Sequence, residues 1–293
     1  MTDAPRRHAL SAGLADRSAL EARFPDAFRT DWRTRAKVSA FLATGAALAA
    51  YAFVCLDIEW ARVWIGIGRL GQFVSVMLPP SYGTTEKLMI YLQSLLETVA
   101  IAVLGTLLAA SLALPFGFLA ARNVIPQAIV HFLVRRSLDT MRSVNILIWA
   151  LIWINVVGLG PFAGALAIMT SDLGSFGKLY SEAIEASDQK AAEGVMSAGG
   201  SGLHRLRFGI LPGILPIFVS QVLYQIESNT RSATIIGIVG AGGIGAHFQE
   251  QIRLNEWQHV AFLTILMLIT VAAIDHVSTR VRFAIIGAKT GAT

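Results

Sequence analysis

The chain has 293 residues, of which 54% are hydrophobic and 15% charged, and its mean hydropathy is +0.59. Soluble domains carry about 25% charged residues, so this composition argues against a soluble enzyme or a disordered chain and indicates a membrane protein. The net charge of +5 leaves a nucleic-acid-binding protein to be considered. The single cysteine, Cys55, excludes an internal disulfide and a cysteine-cluster metal site.

The apolar runs predict an all-α, polytopic membrane helical bundle. A helix needs about 20 mostly apolar residues to cross a bilayer. Six transmembrane spans are predicted, near residues 38–56, 88–120, 143–158, 161–180, 210–236 and 258–277. A turn rich in glycine and proline at 158–164 separates the third span from the fourth. The glycines between residues 237 and 245 predict an irregular loop packed against protein after the fifth span.

The basic residues predict the orientation of the chain. The first 37 residues contain eight Lys or Arg and no apolar stretch, which is typical of a cytoplasmic tail rather than a cleavable signal peptide. With this end inside, the cytoplasmic segments carry 19 of the 24 Lys and Arg and the external segments carry five. Under the positive-inside rule this distribution predicts a multi-pass protein of the bacterial inner membrane with both termini in the cytoplasm. The charge therefore records orientation, and nucleic acid is not an expected partner.

Residues 57–87 are predicted to lie outside the cell. Their apolar side chains recur every three to four residues, with Arg62 and Arg69 between them. This spacing predicts an amphipathic helix, which either lies on the outer membrane surface or packs on the rim of the bundle. The sequence leaves both alternatives open.

The chain is accordingly divided into four regions. A cytoplasmic tail spans 1–37, and the first transmembrane helix with its external segment spans 38–87. The transmembrane core spans 88–285 and contains a cytoplasmic loop at 181–212, and a short tail spans 286–293.

The cytoplasmic loop has a pattern suited to docking. A polar helical stretch is followed by a glycine break at 199–202 and by a short basic helix that enters the next span. A helix of this kind typically docks into a groove of a partner protein. The order of Glu193, Gly199 six residues later and then Leu211-Pro212 resembles the Glu-Ala-Ala loop of binding-protein-dependent ABC permeases.

The resemblance extends over roughly residues 90–280. The loop itself departs from the family pattern at Gly194-Val195, where Ala-Ala is typical, and at Gly209, where Ile is typical. The flanking stretches are similar to the phosphonate permease subfamily. These are Arg142-Ser143, 148–152, 157–164, Gly177-Lys178-Leu179, 182–185, Arg231-Ser232, Thr234, Gly237 and 239–245.

The resemblance implies a fold, a set of partners and a coupling site. It implies a type I ABC importer permease that pairs with a second copy of itself, a cytoplasmic ATPase dimer and an extracytoplasmic substrate-binding protein. The chain itself would carry no catalytic residue, metal or cofactor, because ATP and Mg²⁺ are bound by the ATPase. The coupling positions are identified as Glu193, Ala198, Gly199 and Leu203.

The fifth span ends in an unusually polar stretch at 227–232. Charges at membrane depth usually face a partner, a bundle interior or a water-filled path, and a guanidinium offers several donors to an oxyanion. The residues predicted to line an anion path are Ser228, Asn229, Arg231, Ser232 and Thr234. The alternative is that Glu227 and Arg231, spaced i and i+4, form an ion pair that only positions helices.

Other polar signals are weaker. Asp172 in the fourth span is expected to bond Ser171 or Ser175, with proton or cation coupling as the alternative. The segment 240–245 matches the Gly-x-Gly-x-x-Gly dinucleotide fingerprint, but it lies between two spans, where a close-packed turn is the better interpretation. The six histidines do not reach three ligands at metal spacing.

Together these patterns favour the permease of an ATP-driven importer of phosphonate-type anions. A permease of the same superfamily for phosphate, phosphite or another small solute is the first alternative. A secondary transporter would show two similar halves, each with a broken helix, and only one glycine-rich break is evident. An intramembrane enzyme would need a convergent catalytic set that the sequence does not show.

Overall fold

The computed structural model describes residues 32–56 and 59–290, and these residues form helices without any strand. The chain divides into two compact units, residues 1–72 and 73–293. This division falls ahead of residue 88, where the predicted transmembrane core begins.

The first unit contains α1 (Trp32–Cys55) and most of α2 (Trp60–Val76). The described side chains of both helices up to residue 72 are exposed, including Trp60, Trp64 and Leu70 of α2. The external segment is thus helical, as its periodicity predicts. Its position on the membrane surface or on the bundle rim stays a prediction.

The second unit contains the remaining helices. They are α3 (Thr85–Ala120), α4 (Ala128–Ser143), α5 (Ile146–Val157), α6 (Pro161–Glu185), α7 (Gln189–Ser197), α8 (Gly202–His204), a π-helix (Arg205–Ile210), α9 (Leu211–Ile238), α10 (Ile244–Arg253) and α11 (Trp257–Thr290). Their ends follow local signals: Thr84 caps α3, Asn145 caps α5, and Pro161 occupies the first turn of α6.

Among the described residues, four helical segments are long and apolar enough to cross a membrane: 35–55, 85–120, 202–238 and 257–284. A fifth is obtained if α4 and α5, which are bent by 91° relative to each other, count as one broken span. The third span was predicted as 143–158, and α5 forms 12 residues of it. Helix α4 lies almost entirely in the segment 121–142, whose cytoplasmic position stays a prediction.

The predicted fourth span, α6, is not among those candidates, although it is the central helix of the second unit. It packs against α3, α4, α5 and α9. Half of its length is buried, including Asp172. A helix that packs against four others needs less apolar surface than a helix that faces lipid, and the fourth span at 161–180 stays a prediction.

Small residues allow the close packing around α6. A Cβ atom on Gly174 would lie 2.5 Å from the backbone oxygen of Leu138 in α4, and one on Gly105 of α3 would lie 2.8 Å from Ile168. Packing through small residues is the usual way in which transmembrane helices approach each other closely. Near the C-terminal end of α6, an aromatic stack joins this helix to α9, and the ring centroids of Tyr180 and Phe218 lie 3.8 Å apart.

The two glycine-rich turns of the second unit pack against each other. The N–H of Gly160 donates to the carbonyl of Gly240 at 3.1 Å. The N-terminus of α10, which the sequence had not predicted as a helix, is held by α3: the N–H of Gly243 donates to Glu97 Oε1 at 3.0 Å, and that of Ile244 to Thr98 Oγ1 at 2.8 Å. These backbone donors have protein acceptors, which supports the interpretation of 240–245 as a close-packed turn rather than a dinucleotide site.

Candidate translocation path and coupling segment

The cytoplasmic loop predicted at 181–212 folds as a helix, a break and a second helix. Asp188 caps α7 by accepting from the N–H of Lys190 at 3.0 Å, and Ser201 forms a reciprocal capping pair with His204. Between the helices Gly199 has φ of +82°, a backbone conformation that favours glycine. The predicted glycine break is therefore a genuine chain reversal.

Helix α7 is docked tightly onto the π-helix. Ala192 is fully buried, and a Cβ atom on Gly209 would lie only 2.6 Å from the Ala192 Cα. Arg205 Nη2 donates to Gln189 Oε1 at 2.9 Å and so ties the same two elements together. The glycine at 209, which departs from the resembled family pattern, is thus required by the close approach of α7.

The predicted coupling residues lie on the exposed side of this segment. Glu193 and Ala198 are exposed, and Leu203 is 78% exposed although it is a large apolar side chain. Nearby Met196 is 47% exposed. These side chains are therefore accessible to a partner that docks on this segment.

The C-terminal end of α6, where the predicted coupling loop begins, is anchored by Glu185. Its Oε1 accepts from the N–H of Arg122 at 2.8 Å, and its Oε2 pairs with Arg135 Nη2 at 2.8 Å. Partial burial alone would raise the pKa of Glu185, but these donors outweigh burial and hold the pKa below its usual range. Sequence reasoning missed this anchor because its members are 50 and 63 residues apart.

The polar stretch of α9 places Arg231 on an exposed face. Its side chain is 56% exposed, and its Nη2 lies 3.6 Å from Glu227 Oε1, which is the predicted i, i+4 pair. The other carboxylate oxygen of Glu227 lies 4.0 Å from Nη2 of Arg282 in α11. The same Nη2 of Arg282 lies 3.9 Å from Asp275 Oδ1, so two arginines face two carboxylates and their charges balance, with Arg231 more exposed than Glu227.

The neighbouring hydroxyl groups bond within the bundle. Ser232 Oγ donates to the carbonyl of Ser228 at 3.3 Å. Thr234 Oγ1 lies 3.3 Å from the Thr230 carbonyl and 3.2 Å from Met267 Sδ. Ser228, Ser232 and Thr234 are partly buried, so they lie beside the exposed face rather than at its centre.

Asn229 has a different role from its neighbours. It is 2% exposed, and its Nδ2 donates to Thr106 Oγ1 at 2.8 Å and to Asp172 Oδ2. Gln225 Nε2 donates to the other oxygen of Asp172 at 3.0 Å. The expected bonds of Asp172 to Ser171 or Ser175 are replaced by bonds to α9, and Asn229 joins α9 to α3 and α6 instead of facing an open path.

These features define a class of protein: a helical membrane protein with a broken helix pair, a polar stretch in a core helix and a helix-break-helix segment at the predicted coupling loop. The fold is that of type I ABC importer permeases. A chain of the MetNI methionine ABC transporter, solved in an inward-facing conformation, superposes with a TM-score of 0.62 at 18% identity, covering 69% of this chain and 99% of that one.

Comparison with known sequences gives the family. Residues 113–285 match the family described as binding-protein-dependent transport system inner membrane component, and the chain belongs to this family. The putative phosphite transport system permease protein HtxC of Stutzerimonas stutzeri is 35% identical over 83% of this chain and 85% of its own length. The phosphite transport system permease protein PtxC of the same organism is 32% identical over 72% and 75%. The phosphate-import permease protein PhnE of Mycolicibacterium smegmatis is 33% identical over 79% of this chain and 43% of its own length.

Proposed function

We propose that this permease carries phosphonate-type oxyanions, meaning phosphonates, phosphite and phosphate, into the cytoplasm in an ATP-driven importer. The observation that carries the proposal is the group of relatives at 32–35% identity, whose names specify phosphite or phosphate transport. The exposed guanidinium of Arg231 supports it, because a guanidinium donates several hydrogen bonds to an oxyanion.

The proposed partners follow from the permease class. Two copies of the chain surround the path, a binding protein delivers the anion from outside, and an ATPase dimer binds the coupling segment and supplies ATP and Mg²⁺. Glu193, Ala198, Gly199 and Leu203 face the ATPase, while Gly199 provides the turn that lets α7 move as a rigid body with it. The orientation rests on the distribution of Lys and Arg, which places both termini and this segment in the cytoplasm of a bacterial cell.

Arg231 is proposed to be the main contact of the anion path on α9. Its guanidinium is more exposed than the Glu227 carboxylate, at 56% against 12%, so it can reach a passing anion while still paired on one side. Ser228, Ser232 and Thr234 shape the wall next to it, and Asn229 holds α9 in register through its bonds to α3 and α6.

The test is uptake into proteoliposomes that contain the permease, its cognate ATPase and its binding protein. We expect ATP-dependent accumulation of at least one of methylphosphonate, phosphite and phosphate. Arg231→Gln should lower the uptake rate about tenfold or more, since a lost charged hydrogen bond is worth about 1.5–3 kcal/mol, while Arg231→Lys retains part of the rate. Assembly and basal ATP hydrolysis should not change in either variant.

Two outcomes would contradict the proposal. Uptake of an unrelated small solute without uptake of any phosphorus oxyanion would assign the chain to the alternative cargo class of the same superfamily. Normal uptake by Arg231→Gln would leave the Glu227–Arg231 pair as a device that positions helices only.

A further inference from the structure

A second concentration of charge lies between α4 and α6, separate from the polar stretch of α9. An open recess of about 640 Å³ is lined by Arg136, Asp139, Arg142, Ser143, Ser175 and Lys178. None of these residues belongs to the coupling segment or to the proposed path on α9.

Three cations of this recess converge on one carboxylate. Lys178 Nζ lies 2.9 Å from Asp139 Oδ1, Arg142 Nε lies 3.7 Å from the same oxygen, and Arg136 Nη1 lies 4.0 Å from Asp139 Oδ2. One negative charge balances one of the three positive charges, so the recess has an excess of two. The two arginine side chains are 69% and 47% exposed, against 27% for Lys178, so the unbalanced charge is on the open side.

The backbone and a neighbouring ring hold these arginines in place. Gly174 of α6 lets α4 approach so closely that a Cβ atom there would lie 2.8 Å from the Arg142 N and 3.1 Å from its Cβ. The Arg136 guanidinium lies over the Phe132 ring at 5.5 Å from its centroid. Arg142 therefore has a fixed base, and Arg136 has a preferred side-chain orientation.

We propose that this recess is a binding site for a phosphoryl or phosphonyl group. Guanidinium groups match the geometry of such tetrahedral oxyanions by donating paired hydrogen bonds, and a lysine adds a point charge. The excess of two positive charges equals the charge of a fully ionised phosphonate or phosphate group. The exposed hydroxyl of Ser175 supplies a further donor at the wall of the recess.

This chemistry has two sources near a membrane. One is the transported oxyanion on its way through the protein, and this choice rests on the proposed function. The other is the headgroup of an anionic lipid, because α4 also exposes Ile129, Phe132 and Leu133, as a helix in contact with lipid does. The positive recess itself does not depend on which source fills it.

The experiment measures binding to the permease alone, in nanodiscs of pure phosphatidylcholine. Radiolabelled inorganic phosphate and methylphosphonate are titrated in a scintillation proximity assay. The double variant Arg136→Gln/Arg142→Gln should weaken binding about 10–100-fold, because it removes two charged donors but keeps the Asp139–Lys178 pair. The charge-preserving variant Arg136→Lys/Arg142→Lys should recover most of the affinity, and Arg69→Gln, the same type of substitution at one exposed arginine of α2, should have no effect.

A second arm identifies a lipid source. Native mass spectrometry of permease from mixed phosphatidylcholine and phosphatidylglycerol nanodiscs counts the retained phosphatidylglycerol. Loss of retention in the double variant, without oxyanion binding by the wild type, supports the site and assigns it to lipid. Equal behaviour of wild type and double variant in both arms, or an equal loss in Arg69→Gln, overturns the proposal. Because neither arm needs uptake, failure here is distinguishable from failure of the proposed cargo.

Discussion

Asp172 is the acceptor at the centre of a buried hydrogen-bond network in the second unit. It receives donors from Gln225 and Asn229, and Asn229 also donates to Thr106. The carboxylate thereby joins α6 to α9 and, through Asn229, to α3. Its position inside a bundle of helices accounts for a charge where lipid would not tolerate one.

Removing either end of this network should loosen the bundle. Asp172→Ala removes the carboxylate that accepts from Gln225 Nε2 and Asn229 Nδ2, and a lost bond of this kind costs about 1–3 kcal/mol. We expect a lower thermal unfolding midpoint in detergent for Asp172→Ala and for Asn229→Ala. Because the two residues share a bond, the double variant should lose less than the sum of the single variants. Asn155→Ala, an exposed amide that bonds only within its own helix, is the control; full additivity at Asp172 and Asn229 would contradict the network.

At the C-terminal end of α6, the single residue Glu185 stabilises the packing of α4 against α6 through its pair with Arg135. Its native pKa is held below the unfolded value, because the donors from Arg122 and Arg135 outweigh the effect of burial. Its stabilisation is therefore present above the unfolded pKa, near 4.5, and is lost as the pH falls through the lower native value.

Replacing Glu185 should destabilise the protein in a pH-dependent way. Glu185→Gln removes the charge that pairs with Arg135, and we expect a loss of about 1–2 kcal/mol at pH 7. The difference from wild type should shrink below about pH 4.5, as measured by thermal unfolding in detergent across pH. Glu182→Gln, an exposed carboxylate on the same helix, should change little at either pH. A Glu185→Gln deficit that is as large at pH 4 as at pH 7 would rule out the charge as its cause.

At the scale of elements, the contact of α7 with the π-helix links the proposed coupling segment to α9. A π-helix widens one turn and often lies at functional sites. Here it leads directly into α9, so displacement of α7 reaches the membrane helix that carries Arg231 through continuous helical structure. This continuity is the route by which an event at the proposed coupling surface would alter the proposed path.

Gly209 and Gly194 provide a matched test of this link. Gly209→Ala would place a Cβ atom 2.6 Å from the Ala192 backbone and force α7 away from the π-helix, whereas Gly194 has no atom within 4 Å of a Cβ. Overpacking of this kind costs about 1–3 kcal/mol. In proteoliposomes with both partners, we expect Gly209→Ala to lower uptake per ATP hydrolysed at least threefold. Gly194→Ala should preserve the ratio and slightly favour α7, because alanine is the better helix former. Equal ratios for the two variants would show that the α7 contact does not transmit coupling.

At the scale of the whole molecule, the two compact units differ in how much of their side-chain surface is buried. The first unit, as far as the structure describes it, exposes its side chains throughout, while the second unit surrounds α6 with α3, α4, α5 and α9. The second unit also contains the residues matched by the family, 113–285. The proposed path on α9 and the proposed binding recess between α4 and α6 both belong to this second unit.

The patterns that sequence analysis used correctly are local ones. Long apolar runs predicted α1, α3, α9 and α11, and the glycine break predicted at 199–202 separates two helices in the structure. The same reasoning failed where an element depends on its neighbours. It did not predict α10, whose first turn is held by Glu97 and Thr98 of a distant helix.

The sequence by itself determined the class of this protein and its all-helical membrane fold, because hydropathy and motif spacing are properties of consecutive residues. The tertiary structure decided what the polar residues of the core contact. Asp172 meets Asn229 across 57 residues, and Lys178 meets Asp139 across 39. Such pairs form only after helices pack, when glycines at sites such as Gly174 and Gly209 set how closely the backbones approach. In the packed bundle Asn229, which was predicted to line the path, bonds α9 to α3 and α6. The same packing brings together the residues of the positive recess, which come from two separate helices.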